Sequence, residues 1–336
     1  MISAGKGLDI VRGYRCRGRH ALEVPVGVDM AQCAIALPGN RGQVSRRQAR
    51  LSHCRDGATG SKNAGRRYMR PLSGTLLVSL TVFITGASTG IGAACARAFA
   101  AQGDRVILAA RSADALRILT DDLNGSLGAG TALAVPLDVT DAQAHLDVLT
   151  DLPADWAEVD VAVLNAGLSK GLDPVWKASV EDVDLQVDVN VKGVGNGFRA
   201  VVPGMLARGR GHVITLGSTA AHTVYPGGVV YCATKAAVLA LTNGLKVDLH
   251  GTPVRATTVS PGIVETDFSL VRFDGDQERA DAVYADTNAL TAEDVADAVV
   301  YCAHAPEHVN VQELLLTPRV QSGYTMIVRG EAAEGL

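Results

Sequence analysis

Between Gly217 and Lys235 the chain reads GSTAAHTVYPGGVVYCATK, which sets a serine, a tyrosine and a lysine in an order that chemistry can use. Ser218 supplies a hydroxyl. Tyr231 and Lys235 are four residues apart, and a helix from about Tyr231 onward puts them one turn apart on the same face. An ammonium group beside a phenol favours the phenolate and lowers a tyrosine from its reference pKa of about 10. A tyrosine shifted in that way exchanges protons near neutral pH, as a general acid/base must. Cys232, next to Tyr231, reads as a small apolar filler on the buried side of the helix rather than as a redox switch.

The elements that must carry this stretch begin at TVFIT (81–85), a β-branched run typical of a buried parallel strand. It leads directly into GASTGIG and then an alanine-rich helical stretch up to Gln102. Strand, glycine loop and helix in that order form a dinucleotide cradle: Gly86 for the tight turn, Gly90 for close approach of a pyrophosphate, Gly92 for close helix packing. Ser88, Thr89 and Ile91 complete the loop. The plain alternative is a simple strand-to-helix turn. RVILAA (105–110) is the second strand, and Arg111 and Ser112 follow it where an NAD-binding chain would carry an acid for the ribose 2′-hydroxyl. A cation and a hydroxyl suit a 2′-phosphate, so NADP is the expected cofactor; the alternative is a solvated arginine at a helix start.

Further strands end on polar residues. The third (132–137) ends at Asp138-Val139 and the fourth (160–164) at Asn165-Ala166-Gly167, with amphipathic helices between them. In an open parallel sheet ligands bind at the carboxyl ends of strands, so Asp138 and Asn165 are placed for a nucleotide, although either could cap the next helix. A two-part helical region (179–208) contains Asn190 among valines, where a buried amide needs a partner. HVITL (212–216) ends at Ser218, strand 254–259 ends at Pro261-Gly262, and ELLLT (313–317) follows a helix that a Thr-Ala-Glu-Asp cap starts near Thr291. The expected fold is α/β: a single Rossmann-type doubly wound domain with about seven parallel strands and helices on both faces.

The charge distribution divides the 336 residues at about position 80. Residues 1–80 carry a formal charge of +10 and residues 81–336 a charge of −14, against −4 overall. The basic leader has only short apolar clusters and reads as a disordered extension, or as a stretch upstream of a true start near 78–81. A nucleic-acid arm and an organelle targeting peptide are the weaker readings. The six cysteines are scattered singly, with no CxxC pair and no histidine at metal-ligand spacing, so reduced thiols and no metal are expected. No apolar run approaches the roughly 18 residues of a membrane span, and a cytoplasmic location without membrane or nucleic-acid partners is expected.

Taken together, TGxxxGIG (85–92), NAG (165–167), Asn190, Ser218, YxxxK (231–235) and PG (261–262) resemble the short-chain dehydrogenase/reductase family across essentially all of residues 81–336. The resemblance implies a tetrad: Tyr231 exchanging the substrate proton, Lys235 bonding the nicotinamide ribose and depressing Tyr231, Ser218 polarising the carbonyl, and Asn190 holding a water that links Lys235 to solvent. It also implies adenine contact at Asp138, carboxamide contact at Thr266, and further cofactor contacts at Val139, Pro261, Gly262 and Val264. Six further segments, among them KVDLHGTPVRAT (246–257) and PEHVNVQELLLTPRVQS (306–322), are similar to the NADP-dependent 3-hydroxy acid dehydrogenase branch, whose members act on serine and allo-threonine and form homotetramers. That branch carries a second arginine where this chain has Ser112. Arg272, a planar cation, is the first candidate for a substrate carboxylate and Lys170 the second. A reductase of another carbonyl or aldehyde, and a catalytically silent NADP-binding regulator, are the alternatives.

Overall fold

The structure is a computed structural model and describes residues 79–323 and 325–334. The basic leader, with Cys16, Cys33 and Cys54, lies outside the described residues. The first half of the body alternates β1 (Thr81–Thr85), α1 (Gly90–Ala101), β2 (Arg105–Ala110), α2 (Ala113–Leu127), β3 (Ala132–Pro136), α3 (Ala142–Thr150) and β4 (Val161–Leu164). The second half runs through α4 (Val180–Val187), α5 (Gly193–Arg208), β5 (His212–Leu216), α6 (Val229–Asp248) and β6 (Arg255–Pro261). It continues with β7 (Val264–Glu265), α7 (Phe268–Arg272), α8 (Gln277–Tyr284), β8 (Leu290–Thr291), α9 (Ala292–Ala303) and β9 (Glu313–Leu316).

Seven strands, all parallel as the pattern of the sequence predicts, pair in the order β3-β2-β1-β4-β5-β6-β9. Side chains alternate between the two faces of the sheet. Val82 and Ile84 of β1 join α1, α2 and α9 in one apolar core, while Phe83 joins residues of α5 and α6 in the other. Chain order reverses between β1 and β4, and the carboxyl ends of those strands open the crevice where such sheets bind ligands.

Several boundaries differ from expectation for local reasons. β6 is displaced toward its carboxyl end, because β9 pairs with Thr258–Pro261 and carries the ladder two residues beyond Val259. α6 begins at Val229, so Tyr231 lies in its first turn. The expected helical region 179–208 is two helices, joined by one π-helical turn over Asp188–Lys192 that contains Asn190. Such widened turns occur often at functional sites. Thr291 and Asp294 form the anticipated capping box of α9.

The sheet and α9 are tied by a buried carboxylate. Asp104, only 2 % exposed, accepts the Leu80 N–H at 2.9 Å and pairs with His304 Nε2 at 2.8 Å. An Asp104→Ala variant is expected to lose about 2 kcal/mol or more of stability, because a buried N–H and an imidazole are left without their acceptor. Urea denaturation followed by circular dichroism checks this; an unchanged midpoint would contradict it.

Candidate active site

The glycine loop is fixed by its neighbours. Gly86 adopts φ +65°, and a Cβ there would lie 2.9 Å from both Ala166 Cα and Asn165 Nδ2. Gly90 has φ +52°, again a conformation that glycine accepts without strain. Gly92 is needed for a reason other than helix packing: a Cβ on it would meet the Gly86 carbonyl oxygen at 2.1 Å. The Asn165 amide donates to the carbonyls of Thr85 (2.9 Å) and Gly86 (3.2 Å), so this side chain clamps the loop at the cavity wall. Thr89 precedes α1 without a side-chain cap, so no side chain claims the first N–H groups of the helix.

A cavity of about 640 Å³ runs across the strand ends, from Arg111, Ser112 and Asp138 to Ser218, Tyr231 and Arg272. Ser88, Thr89, Ile91, Val139, Ala166, Gly167, Lys235, Pro261, Gly262, Val264 and Thr266 also line it. Gly92, Asn190 and Lys170 do not. Asp138 accepts from the N–H (2.9 Å) and hydroxyl (2.8 Å) of Thr140; the backbone bond chiefly holds its carboxyl below the usual range, with Arg111 adding to the effect. Ser112 accepts the Ala115 N–H as the cap of α2.

Around the tyrosine, burial outweighs the expected effect of a neighbouring cation. Tyr231 is pushed above the ordinary phenol value, first by burial and then by Tyr225, whereas Arg272 and a hydrogen bond with Ser218 pull it down. Lys235 Nζ stands 5.8 Å from the centre of the Tyr231 ring and donates to the Leu216 carbonyl at 2.7 Å. Burial also pulls the lysine itself down to about 8. The spacing i, i+4 placed the two side chains near one another; it could not show how deep they sit.

Asn190 is 1 % exposed, and its side chain faces protein. It donates to the Leu168 carbonyl (2.8 Å) and to Thr234 Oγ1 (3.0 Å), and accepts the Leu168 N–H (2.8 Å). Both amide hydrogens are thereby spent on protein, so the side chain fixes the segment after NAG against α6.

Arg272 is buried in the cavity wall and is no surface residue. Its guanidinium carbon lies 5.2 Å, 5.4 Å and 5.9 Å from the ring centres of Phe268, Tyr231 and Tyr225. Lys170 points elsewhere, forming an ion pair with Asp274 and lining a separate recess of about 250 Å³. Of the stretch 220–230, Tyr225 and Pro226 reach the cavity, whereas His222 bonds Glu313 at 2.7 Å. Tyr225 and Tyr284 are two of the cavity residues that sequence reasoning passed over individually; Asp267, Ser269, Gln321 and Arg329 are others. For Tyr225 the signal was the following Pro-Gly-Gly turn; Tyr284, in α8, offered none.

The model of the short chain dehydrogenase family matches residues 80–276. A Salmonella typhi protein named NADP-dependent 3-hydroxy acid dehydrogenase is 45 % identical over 244 residues, covering 72 % of this chain and 96 % of that protein. A Chromohalobacter salexigens protein named sulfoacetaldehyde reductase 2 is 42 % identical over 242 residues, covering 72 % of this chain and 95 % of its own. Among solved structures, the closed form of serine dehydrogenase complexed with NADP+ matches with a TM-score of 0.70 and 43 % identity, covering 75 % of this chain and all of that one.

Burial of Lys235 predicts a pH signature. Its pKa of about 8 in the folded chain lies below the ordinary 10.5, so between those values the unfolded state binds the proton that the folded state has released. Stability contributed by this site therefore rises with pH across that window. Relative to a Lys235→Met variant, the wild type is expected to gain up to about 3 kcal/mol between pH 7 and pH 10.5. Denaturant midpoints of both proteins across the window measure it, and a constant difference would refute the burial argument.

Proposed function

The chain belongs to the short-chain dehydrogenase family, and from that premise we propose that it is an NADP-dependent oxidoreductase converting a small 3-hydroxy acid to its 3-oxo acid and back. The observation that carries this reading is Arg272, a buried planar cation on the cavity wall 5.4 Å from the Tyr231 ring. A guanidinium in such a place recognises an anionic substrate group and holds it at a set distance from the proton-transfer hydroxyl. A neutral carbonyl gains no charge-assisted hydrogen bond from that cation, whereas a carboxylate does. The relatives named for 3-hydroxy acids and for serine support a carboxylate; a sulfonate, as in the relative named for sulfoacetaldehyde, meets the same cation.

The residues present fit NADP. The loop at Gly86 and Gly90 has the backbone conformation of a phosphate cradle, and the first N–H groups of α1 carry no side-chain cap. Arg111 and Ser112, exposed at the far end of the cavity, suit a 2′-phosphate. Bound there, the nicotinamide supplies or accepts the hydride.

Everything else in the reaction falls to side chains. In reduction the Tyr231 phenol, favoured by burial, gives its proton to the carbonyl oxygen and is left as the phenolate; in oxidation that phenolate, favoured by Arg272 and the Ser218 hydrogen bond, takes the hydroxyl proton. The Ser218 hydroxyl donates to the same oxygen and stabilises the charge that develops on it. Lys235, held by the Leu216 carbonyl, orients the ribose and places positive charge behind the tyrosine. Asn190 acts on Lys235 and Tyr231 from behind, by fixing Leu168 and Thr234. Ser218, Tyr231 and Lys235 gathered at one cavity, with Asn190 behind them, speak against a silent regulator. No helix among the described residues is long and apolar enough to cross a membrane, and we place the enzyme in the cytoplasm as a homotetramer.

Three variants test the proposal. Tyr231→Phe is expected to lower kcat by about a hundredfold or more, the usual size of a lost general acid, while NADPH still quenches protein fluorescence; unchanged turnover would refute the mechanism. Arg272→Ala should raise KM for 3-hydroxy acids about tenfold or more and spare uncharged alcohols, and equal losses on both would sink the carboxylate assignment. Arg111→Ala should raise KM for NADP and leave that for NAD nearly unchanged; parallel changes would remove Arg111 from the cofactor site.

A further inference from the structure

The stretch Ala220–Val230, the loop between Ser218 and Tyr231, is built around a tyrosine whose hydroxyl has a defined use. Tyr225 is buried, and its phenolic oxygen accepts a hydrogen bond from Arg272 Nη2 at 2.8 Å. The backbone after it makes room for the ring. A Cβ on Gly228 would overlap Tyr225 Cε2 and Cζ at 2.1 Å, and the Gly228 N–H donates to the Tyr225 carbonyl at 3.1 Å. Gly227, at φ +75°, passes so close to Leu172 that a Cβ would meet its carbonyl oxygen at 2.2 Å. The sequence YPGG thus seats one aromatic ring in one place.

Arg272 carries its guanidinium on a long, flexible side chain. It ends a five-residue helix, α7, and its side chain has several rotatable bonds between that backbone and the guanidinium. Phe268 and Tyr231 stack near the guanidinium and confine its plane, but rings do not fix the rotation of the fork within that plane. The hydrogen bond from Nη2 to the Tyr225 hydroxyl constrains that rotation, because such a bond is directional. A cation held in this way loses less conformational freedom when an anion docks, which is how preorganisation raises affinity.

We propose that Tyr225 is a positioning residue for substrate specificity: its hydroxyl fixes the Arg272 guanidinium at the cavity wall so that the carboxylate of a hydroxy acid docks in register with Tyr231 and Ser218. This inference rests on the carboxylate reading of Arg272 given above. It assigns to the loop between serine and tyrosine a task separate from proton transfer, the selection of acids over their neutral analogues.

The test uses the full chain with NADP and two substrates of the same skeleton, 3-hydroxypropionate and its methyl ester. Tyr225→Phe retains the ring and removes only the hydroxyl. The ratio of kcat/KM for acid over ester is expected to fall about tenfold, carried by KM for the acid. A merely structural role would lower both substrates together, and an unchanged ratio overturns the inference. Arg272→Ala run in parallel separates the two levels. If it collapses the ratio and Tyr225→Phe does not, the positioning role is wrong and the carboxylate reading stands. If Arg272→Ala leaves the ratio intact, both fall. A second variant, Gly228→Ala, drives a methyl group into the Tyr225 ring and is expected to reproduce the loss of acid preference; retention of full preference there also counts against the inference.

Discussion

Two cations, Lys235 and Arg272, are buried beside the phenol of Tyr231, and the surrounding architecture answers to that arrangement. A charge taken out of water costs several kcal/mol unless fixed dipoles replace the lost solvent. For Lys235 the replacement is the Leu216 carbonyl at the end of β5, which is why the strand end and α6 must stay in register. For Arg272 it includes the Tyr225 hydroxyl and the faces of three aromatic rings. Burial keeps the tyrosine protonated, and the nearby guanidinium works against that effect, so the balance between acid and base is set by depth as much as by neighbours.

The same logic explains why so many polar side chains near the cavity bond to backbone. Asn165 holds the glycine loop against the end of β1, and Asn190 holds Leu168 and Thr234 around the π-helical turn. Neither amide needs to touch a ligand to matter. Loops at strand ends lack the ladder bonds that fix strands, and these amides supply the missing constraints. Glycines mark the closest approaches: Gly92 against the Gly86 carbonyl, and Gly217, where a Cβ would lie 2.6 Å from Ser260 Oγ and from Thr258 Cγ2.

The division of labour around the site follows from these placements. The first half of the sheet offers a backbone cradle with an exposed arginine at its edge, and the second half offers buried side chains for proton transfer and anion recognition. One cavity spans both because chain order reverses between β1 and β4. Lys170, charged and adjacent to NAG, lies outside that cavity because Asp274 draws it toward the surface.

The sequence alone determined the parallel, doubly wound sheet, the glycine loop, the cation that replaces an acid at Arg111, and the serine, tyrosine and lysine at Ser218, Tyr231 and Lys235. These are local signals: β-branched runs, turn residues and fixed spacings act over a few positions and survive without knowledge of the rest of the chain. Only the tertiary structure decided that Arg272 joins Lys235 beside the phenol, that the Asn165 amide is spent on backbone and the Asn190 amide on Leu168 and Thr234, and that Tyr225 and Arg272 meet across 47 residues of chain. Burial and hydrogen-bond partnership depend on which distant segments fold together, and the energies of buried charges depend on both. A spacing of four residues can bring Lys235 beside Tyr231, but the depth that sets their proton affinities is a property of the whole fold.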